Sequence, residues 1–175
     1  AFNARIRNAR VTLHFDVGFG DSVYPDAVVG EYPRLLDSFP CPNILVYPRS
    51  TVVAEKFEAI VSLGMLNSRV KDYFDIWLLS EEFDFDYPVL AQAIAGTFQR
   101  RGSNLPDGLP IGLTNDFFRD AMKQSQWAAF IRKVSPIRKP GSLQEAVERI
   151  AGFLHPFLFA GDGVPVKWEA GKCWR

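Results

Sequence analysis

A chain of 175 residues carrying 20 basic and 20 acidic side chains is electrically balanced. That balance excludes a protein coated in nucleic acid over its whole surface, though it permits a local basic patch. Two distant cysteines, Cys41 and Cys173, and two histidines, His14 and His155, exclude a disulfide framework, a zinc spacing and a histidine-rich metal site. No apolar run reaches the roughly 18 residues of a membrane helix. Free thiols in a reduced cytoplasm are therefore expected, in one domain or two small lobes sharing a core.

In chain order, residues 11–17 alternate, with Val11, Leu13, Phe15 and Val17 on one side and Thr12, His14 and Asp16 on the other. This predicts a half-buried strand with one polar face. A glycine-rich turn follows at 18–20, and a second short strand is expected over 44–47, between Pro42 and Pro48.

Helices follow. Ser50 or Thr51 is placed to cap one over 52–63, with Gly64 suited to its stop. Ser68 is placed to cap a second over 69–79. Asp86 caps a third, with Pro88 in the first turn and Gly102 past the end. Thr114 opens a fourth, expected to run to about Val134. Ser142 and Glu145 have capping-box spacing for the fifth. In that helix Leu143, Ala146, Val147, Ile150, Phe153, Leu154, Phe157 and Leu158 form an apolar stripe, with Pro156 expected to kink or shorten it. Residues 105–110 and 136–141, rich in proline and glycine, are hinge candidates. Strands early and helices late predict an α+β fold.

Four stretches carry candidate chemistry. Asp16, on the polar face of its strand, is placed to hold a divalent metal with other carboxylates, or is a surface aspartate. Lys56 borders the stripe of Val53, Phe57 and Ile60. It is placed either to snorkel to solvent or to reach a phosphate as a point charge. Asp72 and Asp75 share one helix face, with Arg69 three before the first and Lys71 four before the second. They make either a solvated ion-paired surface or a pair of site carboxylates. As polar residues at the margin of buried faces, Lys56, Asp72 and Asp75 are expected to cost within about 0.5 kcal/mol when truncated. Arg100 and Arg101 end their helix, favouring its dipole or gripping phosphate. Trp127 and Phe130 read as core.

Taken together, the ordered set of Asp16, Ala54-Glu55-Lys56, Asn67-Ser68-Arg69-Val70-Lys71-Asp72-Tyr73-Phe74-Asp75, Arg101-Gly102 and Gln126-Trp127 resembles the nucleotidyltransferase AbiEii/AbiGii toxin family. The resemblance spans nearly the whole chain, and through that family extends to the polymerase-β superfamily. It implies part of a nucleotidyltransferase sheet and its motif helices over 1–82 and a C-terminal helical lobe over 83–175. It implies transfer of a nucleotidyl group from an NTP to an RNA or protein acceptor, with Mg2+, in a toxin–antitoxin or abortive-infection system with a cognate antitoxin.

It further implies Asp16 as the third metal carboxylate, Lys56 with Arg69 toward the nucleotide phosphates, and Asp72 or Asp75 as the acid of the last motif. The superfamily's first motif, a Gly-Ser turn with Asp-x-Asp, is not in the chain. Asp84-Phe85-Asp86 lies too late and lacks the glycine turn. The expectation is that this motif precedes Ala1 or has been lost, leaving these residues inactive alone. The rival expectations are a degenerate, non-catalytic relative that binds protein or RNA, and an unrelated helical interaction domain.

Overall fold

The computed structural model describes residues 2–14, 20, 22–34, 36–159 and 165–175. Among them the fold is α+β, with three small antiparallel sheets and six helices. Strands β1 (Phe2–Ile6) and β2 (Ala9–Leu13) form a hairpin with Phe2 opposite Leu13. Strands β3 (Val28–Glu31) and β4 (Asn43–Val46) form a second, with Val28 opposite Val46.

The expected strand at residue 11 exists, but its expected burial does not. All of β2 is exposed, Val11 at 38% and Leu13 at 37%. Its hairpin pairs with no other strand among the described residues, so the alternation of Val11 and Leu13 marks two wet faces. Phe15 to Val17, Asp16 included, lie outside the described residues.

The helical body begins with α1 (Arg49–Leu63), which starts after Pro48 without a side-chain cap and stops at Gly64, φ +49°. Ser50 and Thr51 are not caps. Both hydroxyls donate to the Tyr24 carbonyl, at 3.0 and 2.9 Å, and the Thr51 oxygen accepts from the Tyr24 N–H. They tie the incoming chain to the helix.

After a 3-10 turn (Gly64–Leu66) comes α2 (Val70–Glu82). Ser68 makes no cap there; the Asn67 side chain accepts instead from the Arg69 N–H at 2.8 Å. Helix α3 (Tyr87–Arg101) follows strand β5 (Phe85–Asp86). It has its proline in the first turn and Gly102 at φ +64° beyond its end, as predicted, but the Asp86 side chain, expected to cap it, makes no capping hydrogen bond.

The helix expected from Thr114 to Val134 is two helices, α4 (Asn115–Arg119) and α5 (Ala121–Val134). Asp120 breaks them apart. Its backbone is extended and its carboxylate caps α5 by accepting from the Lys123 N–H at 2.9 Å, a local alternative to continuing the helix. Helix α6 (Leu143–Leu158) is capped by Ser142, which accepts from the Glu145 N–H. The Glu145 carboxylate reaches the Gly141 N–H, so the capping box is not reciprocal. The helix continues two residues past Pro156. Strand β6 (Lys167–Trp168) pairs with β5.

Helix α1 packs chiefly on α3, and α2 on α6. Val53, Phe57, Ile60, Tyr73, Ile76, Leu90, Ile94, Phe117, Ile150, Phe153 and Leu154 are almost wholly buried in one cluster. Each such aliphatic or phenyl side chain contributes about 1.5–3 kcal/mol by leaving water. Trp127 joins the core as expected, and Phe130 packs partly buried against it. The consequence for function is that α1 and α2 are held side by side by their apolar faces, with their polar shoulders facing each other.

Candidate functional site

Those shoulders carry Lys56 and the two aspartates. Val53, Phe57 and Ile60 anchor α1 in the core, which places Lys56 at the seam. Val70, Phe74 and Trp77 anchor α2, which turns Asp72 and Asp75 to the same seam. The Lys56 ammonium sits between the two carboxylates, 2.8 Å from Asp72 Oδ1 and 2.7 Å from Asp75 Oδ2. It does not snorkel: the Lys56 side chain is 16% exposed, Asp72 3% and Asp75 21%. Arg69 Nε reaches Asp72 Oδ2 at 2.8 Å, and the Lys71 ammonium pairs with Asp75. The helix-surface pairs at spacing three and four therefore exist, and Lys56 extends them inward to a buried carboxylate. A buried network is costly to break, so these residues are expected to cost more on truncation than their place at the margin of the stripes suggests.

Three cations against two carboxylates leave one positive charge over. Burial alone would lower the Lys56 pKa. Its hydrogen bonds to Asp72 and Asp75 and their charges outweigh that and hold it above 10.5. The ammonium is therefore fully charged at neutral pH. Next to Asp72, Tyr73 stacks on Phe117 at 4.7 Å. Burial, and then the Asp72 charge, push its hydroxyl well above the ordinary phenol range. Among the described residues that hydroxyl has no hydrogen-bond partner, and a Cβ at Gly112 would lie 2.8 Å from it, so only glycine fits there.

The residue before Lys56 faces another way. Glu55 pairs with Arg101 at the end of α3, and the same guanidinium reaches Glu58 Oε2 at 3.3 Å. Arg101 thus ties the end of α3 to α1. Arg100, one residue earlier, packs on Gly20, where a Cβ would lie 3.0 Å from Nη2 and φ is +73°. The segment entering the helical body is thereby brought to the α3 end that touches Glu55.

One residue, Lys123, and one pairing, Glu55 with Arg101, escaped the reading of the sequence. Lys123 is 4% exposed and donates to the Asn67 carbonyl at 2.8 Å, and Asn67 is wholly buried at the entry to α2. A signal existed for the lysine. Lys123, Trp127 and Ile131 repeat every four residues, so Lys123 lies on the packed stripe of α5. Glu55 and Arg101 carried no signal, because they are 46 positions apart.

Among the described residues no three histidine, cysteine or carboxylate side chains converge as a metal ion requires. Asp72 and Asp75 are held by Lys56, so the described residues do not fit a metal. Asp16 lies outside them. Both cysteines are free. No helix among the described residues is long and apolar enough to cross a membrane.

Residues 1–150 match the family model of the nucleotidyl transferase AbiEii toxin, type IV toxin–antitoxin system. Searches of curated proteins and of solved structures returned no match.

Proposed function

The chain belongs to the nucleotidyl transferase AbiEii toxin family, and from that premise we propose that its Lys56–Asp72–Asp75 seam is where the phosphates of an NTP are gripped. The observation that carries this is the part-buried ammonium of Lys56 held between two carboxylates. An ammonium on a rigid helix is a preset point charge for phosphate. Asp72, bridging Lys56 and Arg69, is the acid that aims them. Asp75, more exposed and shared with Lys71, is the weaker counter-ion that an arriving phosphate displaces.

The acceptor in this reading is RNA, and the partner is a cognate antitoxin protein. Residues 1–82 supply the motifs and 83–175 the helical lobe that supports them. Mg2+ belongs to Asp16 in this reading. Nucleotidyl transfer draws on charge placed where the phosphoryl oxygens develop it. Two metal ions need more carboxylates than Asp16 alone. Because Gly-Ser with Asp-x-Asp is not among these residues, we propose that the chain alone binds NTP without transferring it.

The test is equilibrium dialysis of labelled NTP against the chain, Lys56→Met and Asp72→Asn, with transfer to total RNA measured in parallel. Lys56→Met is expected to weaken NTP binding about tenfold, the loss of one charge-assisted contact. Undiminished binding by folded Lys56→Met would overturn the assignment. Robust transfer to RNA would overturn the proposed inactivity.

A further inference from the structure

A second site lies at the other end of α2, built by α6 and the tail, largely past residue 150, where the family match ends. Arg149, Gly152 and His155 succeed one another at spacing three, which puts them on one face of α6, opposite the core stripe. The tail folds back across that face. Lys167 and Arg175 exchange backbone hydrogen bonds at 3.1 and 2.9 Å, Trp168 bridges Trp174, and Gly171 N–H donates to the Ser80 carbonyl. Between face and tail is a cavity of about 380 Å³, lined by Arg149, Gly152, His155, Trp168, Lys172 and Trp174 among others.

Its walls are flat, and its rim carries two cations, Arg149 and Lys172, beside one carboxylate, Glu148. Both indole N–H groups are spent inside the protein, Trp168 on the Ser80 carbonyl and Trp174 on the Phe153 carbonyl. What the indoles give the cavity is ring surface, and Trp174, unlike Trp168, is only partly buried. The Arg149 guanidinium lies 4.6 Å from the Trp168 ring centre, is paired with Glu81 and donates through Nη1 to the Lys172 carbonyl, while its Nη2 is buried without a hydrogen-bond partner among the described residues. Lys172 is mostly exposed. Its carboxylate partner among the described residues is Glu169, and a surface pair of that kind is displaced by a ligand at little cost.

The floor gives an independent indication. Gly152 stands in mid-helix, where glycine is disfavoured against alanine. Packing does not require it, since a Cβ there would meet nothing within 4 Å. Pro156, four residues on, has no N–H to give the Gly152 carbonyl. A helix that gives up both a side chain and a hydrogen bond at one point leaves backbone open to whatever occupies the space.

We propose that this cavity binds a nucleotide, its base against Trp174 and the Gly152 backbone and its phosphate on Arg149 and Lys172. Flat aromatic surface joined to a cationic rim is the chemistry that takes a base and its phosphate together. The nucleotide is either free or one unit of a single-stranded RNA. The inference does not rest on the Lys56 assignment.

Cys173 also lines the cavity, so its alkylation rate, read by peptide mass spectrometry with Cys41 as internal control, reports occupancy here and is blind to Lys56. AMP or a short oligoadenylate is expected to slow Cys173 alkylation, while adenosine and ribose 5-phosphate do so only weakly. Protection by AMP identifies a free nucleotide, and protection by the oligonucleotide alone identifies RNA. Lys172→Ala is expected to weaken protection about tenfold, one charge-assisted contact. Gly152→Leu is expected to fold and to abolish protection. Lack of protection by either nucleotide, protection by adenosine equal to that by AMP, or unchanged protection in Lys172→Ala or folded Gly152→Leu would refute the site.

Discussion

Replacing Lys56 by methionine keeps an unbranched stem in the seam and removes only the ammonium. What remains is Asp72, 3% exposed, with Arg69 as its sole close cation, and Asp75 with Lys71. Removing one partner of a buried pair costs about 3–5 kcal/mol, mostly the penalty of the charge left behind. Arg69 and Lys71 remain and Asp75 reaches water, so the low end applies, about 3 kcal/mol. For a chain of this size that lowers Tm by about 6–12 °C. Urea unfolding of the wild type, Lys56→Met, Asp72→Asn and the double variant measures both the cost and the coupling. The double variant should be more stable than the sum of the single losses predicts, by about 1–2 kcal/mol. A cost for Lys56→Met below about 1 kcal/mol is the value of a surface ion pair. It would refute the description of this seam as a buried network.

Two further outcomes follow from the same geometry. The folded-state pKa of Lys56 lies above 10.5, so its stabilising contribution is whole below that pH and is lost as pH rises through the folded value. Above about pH 10.5 the wild type should lose more stability than Lys56→Met does, measured by urea midpoints across pH. Gly112→Ala should cost about 1–3 kcal/mol by forcing a methyl against the Tyr73 hydroxyl and Ile60. Tyr73→Phe, which removes a buried unpartnered hydroxyl, should be neutral or stabilising and should relieve part of the Gly112→Ala cost, read by thermal unfolding.

The helices were legible because their signals are local. Gly64 and Gly102 stop α1 and α3 where the sequence places them, and the α6 stripe is buried except for Phe157, which is partly so. The seam was half legible. Spacing put Asp72 and Asp75 on one face, but only the packing of Phe57 and Phe74 could bring Lys56 between them. Hydroxyls and carboxylates misled in both directions. Ser50 and Thr51 have the composition of caps and are used to hold Tyr24, while Asp120, inside an unbroken apolar pattern, ends one helix and begins another. Side chains this short serve whichever backbone group comes within reach, and that is decided by tertiary structure. The exposure of β2 was hidden for the opposite reason. Alternation reports which residues share a side, not whether anything covers it.

Glu55 and Lys56 are neighbours in sequence, and they moor α1 to two different helices, α3 through Arg101 and α2 through Asp72 and Asp75. Successive residues on a helix point about 100° apart around its axis. Two tethers so oriented act as a torsional clamp: α1 cannot roll toward one neighbour without stretching its link to the other. The charge at position 56 is consequently held in angle as well as in place.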